Sequence, residues 1–328
     1  MAEITTDIIN SIEEILVPVK VTLSSDMTVA KALSVIKEKK SVSYTLYITN
    51  SKGYLAGAIK LSDLLTSSPD ALLSEIKEDY SVISARIDDD PEEISEKFRD
   101  YDLLSLPITD EEGKLLGMLE YDDAISIQKQ ETEEDFEKMA GISAQDKPYL
   151  LTSDFNMAKS RIVWLLVLML SSIVTGEIIV KYENAFLTVP LLVAFIPMLM
   201  GTGGNCGSQS STIVIRSLTT DEISLSDFIY VIFKEFKIAI LVSAVLAFVN
   251  GLRVFIQYGD AKLAVTITLS IIATVILAKL LGASMPLIAS KVGLDPAAMA
   301  SPLITTIVDT CSVLVYFRIA SSVFNIPI

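Results

Sequence analysis

The stretch PMLMGTGGNCGSQSS, residues 197–211, places four glycines and a run of amide and hydroxyl side chains inside an apolar region. Such groups persist at membrane depth only where protein or water surrounds them. Asn205 and Gln209 are one helical turn apart, so together with Gly204 they predict a wet, pore-lining face. Small residues also let helices approach closely, so a purely packing role stays open as the alternative.

Apolar runs on both sides of this stretch are long enough to cross a membrane, since about 18 apolar residues span the hydrocarbon layer. The sequence predicts five spanning segments, the second of them interrupted, at Ile162–Val180, Phe186–Ile215, Ile238–Ile256, Leu263–Ala289 and Ala297–Val323. The acidic N-terminus has no signal-peptide pattern, so we expect a cytosolic first half. Five crossings of a cell membrane then put the C-terminus outside.

Asp309 is an acidic residue deep in the fifth predicted segment. A carboxylate there is costly unless it faces water, a partner or an ion, and we expect Lys279 and Arg318 to lie toward helix ends. The other predicted pore-lining residues of this segment are Pro302, Thr305 and Thr306. Together they predict an oxygen-lined constriction, with a structural ion pair or a protonated acid as the alternative.

A single carboxylate is too few to strip Mg²⁺ of the water that this ion gives up reluctantly. A two-fold homodimer would bring two copies of Asp309 to one axis, where they could hold a Mg²⁺ that keeps most of its hydration shell. Within a lipid bilayer, such a pair of carboxylates would balance the charge of one divalent cation.

Charge divides the chain into two unlike halves. Residues 1–150 carry 31 acidic and 15 basic side chains, and residues 151–328 carry 10 acidic and 11 basic. The chain has no histidine, which removes the commonest zinc ligand and the usual general base and favours hard cations with oxygen ligands. We find no nucleophile with a base and no phosphate loop, so we predict that the chain is not an enzyme. The cysteines Cys206 and Cys311 are expected to be buried packing residues.

The acidic half contains an internal repeat with an offset of 60 residues. Gly53-Tyr54-Leu55-Ala56-Gly57 leads to Asp63, and Gly113-Lys114-Leu115-Leu116-Gly117 leads to Asp123. Each hairpin follows a short strand and an amphipathic helix, at about Val29–Lys39 and Glu92–Asp100. The order helix, strand, glycine turn, strand, helix therefore occurs twice.

This repeat resembles a tandem pair of CBS domains over about residues 17–128, divided at about 75/76. The resemblance implies an α+β module, and such pairs often bind adenosine nucleotides through a Ser or Thr three residues before the Asp. Lys60 and Glu120 stand at those positions, which argues against ATP without excluding it. The alternative to nucleotide binding is that the module responds to divalent cations. A large excess of negative charge strains a small module, and divalent cations would relieve that strain.

The sequence predicts a connecting helix over residues 128–141 that ends at Gly141. The connecting region as a whole, helix and linker, is predicted to cover residues 129–158. Glu131, Glu134 and Asp135 share one face of it by their spacing. The helix is either a soluble linker or a rigid lever between an acidic sensor and the membrane half.

The run Gly201–Ser211 followed by Arg216-Ser217-Leu218, and Asp295-Pro296-Ala297 with Asp309 fourteen residues on, closely resemble the MgtE family of magnesium channels. The resemblance implies an α+β CBS pair joined by a connecting helix to an all-α membrane domain of five helices, residues 159–328. It implies that Asp309 binds Mg²⁺ in the pore and that Asp295 shares a regulatory Mg²⁺ with the connecting helix. The implied regulatory ligands are Asp123, Glu131, Glu134 and Asp135.

The chain departs from this family pattern in two ways. The N-terminal segment 1–16 is too short for the helical acidic domain that usually precedes the CBS pair, and Ser126 replaces an acid at a sensor site. We therefore expect some regulatory sites to be missing. The prediction is a Mg²⁺ channel gated by cytosolic Mg²⁺, with no nucleic-acid partner. A Na⁺- or H⁺-coupled divalent cation transporter and a sensor without transport remain the alternatives.

Overall fold

The computed structural model describes residues 12–39, 43–76, 82–144, 148–299 and 301–326. It divides into two compact units, Met1–Glu133 and Glu134–Ile328. Positions 1–11 of the predicted N-terminal segment and 145–147 of the predicted linker lie outside the described residues.

The first unit contains two copies of one α/β arrangement. Its helices are α1 (Ile12–Ile15), α2 (Val29–Lys39), α3 (Leu61–Thr66), α4 (Leu73–Ile76) and α5 (Pro91–Asp100). Its strands are β1 (Thr22–Ser24), β2 (Thr45–Thr49), β3 (Leu55–Lys60), β4 (Ala85–Arg86), β5 (Ser105–Thr109) and β6 (Leu115–Glu120). They form two three-stranded sheets, β1-β2-β3 and β4-β5-β6, each with one parallel and one antiparallel pair.

The predicted 60-residue repeat is confirmed down to the register of the strands. Thr45 pairs with Lys60 in the first sheet and Ser105 with Glu120 in the second. The irregularity between Ile48 and Thr49 recurs between Ile108 and Thr109. Both sheets therefore bend at equivalent points.

The two repeats are joined at their hairpin tips. Gly53 and Gly113 adopt φ values of 87° and 86°, which glycine reaches without a Cβ clash. Leu55 donates its N–H to the Gly113 carbonyl and Leu115 donates to the Gly53 carbonyl, both at 3.1 Å. This exchange is the symmetric contact expected when two copies of one motif pair with each other.

A buried hydroxyl pair also links the repeats. The Tyr47 hydroxyl lies 2.7 Å from the Ser105 hydroxyl, and burial raises the pKa of Tyr47 to about 12. Each repeat has its own apolar core, and α2 contributes Val29, Ala32 and Ile36 from one face. The spacing of those residues is that of an amphipathic helix, as predicted.

The connecting helix is longer than the sequence suggests. Helix α6 (Tyr121–Met139) runs without a break from the acidic residue of the second repeat into the predicted connector, and the boundary between the units falls inside it. Gly141 follows in the left-handed region at φ 71°, which is the usual glycine stop.

The second unit is helical. Its helices are α7 (Asp154–Lys181), α8 (Glu183–Thr188), α9 (Leu192–Thr219), α10 (Phe228–Tyr258), α11 (Ala261–Lys291) and α12 (Ser301–Phe324). Short 3₁₀ turns precede α10 at Leu225–Asp227 and α12 at Pro296–Met299. The predicted fifth segment therefore begins its α-helix later than expected, since residues 297–299 belong to the separate 3₁₀ turn.

Within the described residues, α7, α10, α11 and α12 are long and apolar enough to cross a membrane. Helix α9 has 28 residues, about 42 Å at 1.5 Å per residue, but its second half is polar. The predicted interruption of the second segment, Phe186–Ile215, is confirmed, and it falls ahead of the glycine-rich stretch. The helix continues through Pro197 and the glycines, and the break lies before it, between α8 and α9.

Helix α9 packs closely against α11 and α12 because it has glycines on both contact faces. A Cβ on Gly207 would lie 2.9 Å from the Ile304 side chain and 3.3 Å from the Ala278 carbonyl. A Cβ on Gly204 would lie 2.8 Å from the Thr305 methyl. The glycines therefore allow a contact that larger residues would prevent, the role that small residues play between membrane helices.

Candidate ion-conducting site

Asp309 lies in the middle of α12 and is half-buried within the helical unit. Its Oδ1 atom is buried and has no hydrogen-bond partner among the described residues. A buried carboxylate oxygen left unpaired carries a large desolvation cost. This site is therefore open to a cation or to water.

The predicted positions of the nearby basic residues are partly wrong. Lys279 is not near a helix end but in the interior of α11, and it is buried. Its ammonium pairs with Glu235 and not with Asp309. The alternative of an ion pair between Lys279 and Asp309 is therefore excluded by the structure.

Hydroxyl groups line α12 on the turns around Asp309. Thr306 donates to the Pro302 carbonyl at 3.0 Å, and Thr310 donates to the Thr306 carbonyl at 3.0 Å. The Pro302 carbonyl therefore accepts a side-chain hydroxyl. A hydroxyl that donates in this way presents its lone pairs to a third group, so Thr306 still offers an oxygen.

Helix α9 lies beside this part of α12. The Ser208 hydroxyl is 3.4 Å from the Thr305 hydroxyl, and Gly204 faces the same threonine. The neighbouring residues Asn205 and Gln209 are exposed within the single chain. Two exposed amides one turn apart at membrane depth need water or another protein surface beside them.

A second group of charges lies where the connecting helix meets the helical unit. Lys138 on α6 is 2.7 Å from Glu134 and 2.8 Å from Asp295, so its ammonium stands between two carboxylates. Burial alone would lower the pKa of Lys138, but the hydrogen bonds to both carboxylates outweigh it and raise that pKa. The ammonium therefore stays charged at this position.

Asp135 joins the same group. Burial raises the pKa of its carboxyl, and the nearby Asp295 carboxylate raises it further, against the opposing effect of Lys138. Apolar contacts hold the helix end in place, since Met139 packs on Ile215 and Ala297. The structure thus brings two of the predicted regulatory residues, Glu134 and Asp295, into contact with one lysine, and Asp135 lies near enough for their charges to affect its carboxyl.

The remaining predicted regulatory residues, Asp123 and Glu131, lie in the first unit. Asp123 accepts the Glu120 N–H at 2.8 Å near the start of α6, and Glu131 is half-buried further along that helix. Across the ranges that the structure describes, no three acidic or cysteine side chains converge as a complete metal site. Their predicted role as metal ligands stays a prediction.

Sequence reasoning missed one buried polar cluster. Ser210, Glu235 and Lys279 meet between α9, α10 and α11 and are all nearly inaccessible. The available signal was Glu235, an acid inside a long apolar helix. It was overlooked because the third spanning segment was predicted to begin at Ile238, after this residue.

Comparison with known families agrees with the architecture. A family model described as a divalent cation transporter, MgtE, matches residues 196–319, and the CBS-domain model matches residues 12–70 and 74–129. The magnesium transporter MgtE of Thermus thermophilus is 32% identical over 309 residues, which cover 93% of this chain and 68% of that protein. The magnesium transporter MgtE of Bacillus subtilis is 33% identical over 294 residues, which cover 90% of this chain and 64% of that protein.

This chain spans about two thirds of the length of these relatives. Among solved structures, the soluble part of a magnesium transporter is 31% identical, with a TM-score of 0.35. The match covers 37% of this chain and 48% of the solved chain. The cytosolic domain of the Mg²⁺ channel MgtE in complex with ATP is also 31% identical, covering 36% and 48%, with a TM-score of 0.34. On the family match and the relatives together, the chain belongs to the MgtE family of divalent cation transporters.

Proposed function

We propose that this protein conducts hydrated Mg²⁺ across a cell membrane through a pore lined by α9 and α12, with Asp309 as the ion-binding residue. The observation that carries the proposal is the buried Oδ1 of Asp309, which has no hydrogen-bond partner in the described part of the chain. Helix α9, which lies beside this part of α12, carries the exposed amides of Asn205 and Gln209. Relatives that cover most of this chain are named magnesium transporters, which supports the choice of ion.

A homodimer completes this pore. One carboxylate does not balance a divalent ion, whereas two copies of Asp309 facing each other across a two-fold axis do. The same arrangement would place the exposed Asn205 and Gln209 of each chain in a water-filled space instead of lipid. A two-fold axis is by far the commonest symmetry among soluble homo-oligomers.

Selection of Mg²⁺ follows from the weakness of each contact. Carboxylates that contact the hydration water of Mg²⁺ balance the charge of the ion while it keeps most of its hydration shell. An ion held this way is bound firmly enough to enter and loosely enough to leave. The hydroxyls of Thr305 and Thr306 would contact the hydration water one turn from Asp309.

Regulation involves the charges at the connecting helix. The Lys138 ammonium pairs with both Glu134 and Asp295 and leaves a net negative charge at this position. Cytosolic Mg²⁺ that binds these carboxylates together with Asp135 has to displace the lysine ammonium. Binding would then fix the connecting helix against the start of α12, where Gly141 already lies beside Pro302. This fixation closes the pore when internal Mg²⁺ is plentiful, with the acidic first unit on the cytosolic side.

The test is Mg²⁺ uptake by liposomes that contain the purified full chain. Asp309→Asn should abolish uptake, because it removes the charge from the pore and keeps the size of the side chain. The matched control is Glu177→Gln, a carboxylate that is exposed on α7. Uptake that survives Asp309→Asn would rule out the pore assignment.

The same liposomes separate a channel from a coupled transporter. At a fixed Mg²⁺ gradient, a channel moves Mg²⁺ at a rate that does not depend on an added Na⁺ or proton gradient. A rate that follows either gradient after correction for membrane potential would favour the coupled transporter. No Mg²⁺ movement at all in a folded sample would favour a sensor without transport.

A further inference from the structure

Three buried side chains join α9 to its neighbours, and we infer that Ser210, Glu235 and Lys279 are positioning residues for the pore helix. This inference rests on the proposed transport function. Ser210 donates its hydroxyl to Glu235 Oε2 at 2.6 Å, and Lys279 donates to the Ser210 oxygen at 3.1 Å. The Lys279 ammonium is 3.6 Å from the same Glu235 oxygen. We call these three residues the α9 latch.

The latch is buried as deeply as an apolar core. Ser210 is 0% exposed, Glu235 6% and Lys279 5%. Charged residues within membrane helices are costly and are kept where they pair with each other or serve function. Because the acid and the base neutralise each other and share one hydroxyl, the cluster needs no bound ion.

Each member of the latch belongs to a different helix. The ion pair joins α10 to α11, and Ser210 is the residue that links α9 to this pair. The latch thus fixes α9 through a single hydroxyl that interacts with both charges. Hydrogen bonds to charged groups are stronger than those between neutral groups.

The location of the latch connects it to the pore. Ser210 lies one turn after Gly207, and Lys279 lies one turn before Gly282, the two glycines at which the backbones of α9 and α11 touch. The latch adds hydrogen bonds to charged groups one turn along α9 from this backbone contact, and we expect them to fix the rotation of α9 about its axis.

Rotation of α9 matters because its other face forms the proposed pore wall. Gly204 and Ser208 contact Thr305 on α12, one turn from Asp309. A turn of α9 would move Asn205 and Gln209 relative to the Asp309 carboxylate. The latch therefore sets the shape of the ion pathway without touching the ion.

A buried ion pair is a poor device for stability alone. Replacing such a pair by apolar residues is often neutral or stabilising, because the cost of desolvation offsets the attraction. Its better-attested use is to fix one arrangement among several. The α9 latch, which bridges three helices beside the pore wall, fits that use.

The test compares two adjacent buried serines on α9. Ser210→Ala removes the link to α9 and leaves the ion pair, whereas Ser211→Ala removes a buried hydroxyl that has no partner among the described residues. Both changes delete one hydroxyl from the same helix. The readouts are Mg²⁺ flux in liposomes and the rate at which a maleimide labels Cys206, which is buried on α9 one turn before Ser210. The labelling is done with Cys311→Ser as background.

We expect Ser210→Ala to label Cys206 faster and to lose about ten-fold or more of the flux, as the loss of a hydrogen bond to charged groups implies. Ser211→Ala should match the parent in both readouts. The double variant Glu235→Leu/Lys279→Met should melt at or above the parent temperature and still conduct less. That combination separates positioning from stability.

Parent-like labelling and flux in Ser210→Ala, together with parent-like flux in the double variant, would overturn the inference. If the double variant fails to fold, Ser210→Ala against Ser211→Ala still decides the question. The labelling comparison does not depend on transport. A parent protein without Mg²⁺ flux would therefore refute the proposed function, while the labelling rates would still test whether the latch holds α9.

Discussion

Gly282 on α11 should tolerate no larger side chain, because an added methyl group would meet the backbone of α9. A Cβ at this position lies 2.9 Å from the Gly207 carbonyl carbon and 3.0 Å from its Cα, and it approaches the Gly207 carbonyl oxygen even more closely. Carbon atoms in contact are ordinarily about 3.5–4.0 Å apart. Gly282→Ala therefore forces α9 and α11 apart by roughly 0.5–1 Å.

Separating the two helices should destabilise the protein by more than the better helix propensity of alanine stabilises it. Overpacking costs about 1–3 kcal/mol, and the better helix propensity of alanine recovers up to about 1 kcal/mol. The obstructing atoms belong to a helix backbone, which moves only as a unit, so we expect a net loss of up to about 2 kcal/mol. Because α9 forms the proposed pore wall, Mg²⁺ flux should fall as well.

The assay is thermal unfolding of the purified protein in detergent, with Mg²⁺ flux measured on the same preparation in liposomes. The control is Gly176→Ala on α7, where an added Cβ meets no atom within 4 Å. The control should melt at or slightly above the parent temperature. A Gly282→Ala variant that melts as the parent does and conducts normally would refute the close contact between the two helices.

Three further variants test other parts of the structure. Lys138→Met removes the ammonium that competes with Mg²⁺ for the carboxylates of Glu134 and Asp295, so internal Mg²⁺ should close the pore at several-fold lower concentration. An unchanged Mg²⁺ concentration for half-closure, or the same shift in the exposed control Lys129→Met, would contradict this. Asp135 has a raised pKa in the folded state, so its contribution to stability falls as pH rises above the usual aspartate range. In chelator, the melting temperature of Asp135→Asn should therefore gain on that of the parent as pH rises from acid to neutral, and parallel pH curves would refute the shift. Tyr47→Phe removes the hydroxyl pair with Ser105 and should destabilise the first unit by about 1 kcal/mol in urea unfolding of that unit's transition, while no loss would show that the pair is dispensable.

The repeat in the first unit could be predicted because its signal is local. The glycine hairpins, the short strands and the amphipathic helices each depend on a few neighbouring residues. The 60-residue offset between Gly53 and Gly113 then fixed the pairing of equivalent elements. The strand irregularities at Ile48 and Ile108 could not be predicted, because they depend on the register with a partner strand.

The helical unit shows where local patterns fail. The sequence predicted an interruption in the second spanning segment but not its position, which is the short link between α8 and α9. Helix α9 continues through its glycines, where α11 and α12 pack closely against it. The pairing of Lys138 with Asp295 joins residues far apart in the chain and leaves no trace in spacing. The pairing of Glu235 with Lys279 also joins residues on different helices, and Glu235 lay just before the predicted third spanning segment.

The boundary of the connecting helix is a further difference. The predicted connector began after the second repeat, whereas α6 includes both the last helix of that repeat and the connector. The sequence from Tyr121 to Met139 contains no glycine or proline, so nothing local ends the helix between them. This continuity gives the lever hypothesis a physical basis, because an unbroken helix transmits movement along its axis.

The central claim is that two chains share one cation between their Asp309 carboxylates. Anomalous diffraction from crystals of the full chain grown with Mn²⁺ in place of Mg²⁺ tests it most directly. The account predicts a peak on the two-fold axis between the two Asp309 side chains, which disappears in Asp309→Asn. A map with Asp309 facing lipid, or with no cation beside it while Mn²⁺ flux persists, would contradict the account.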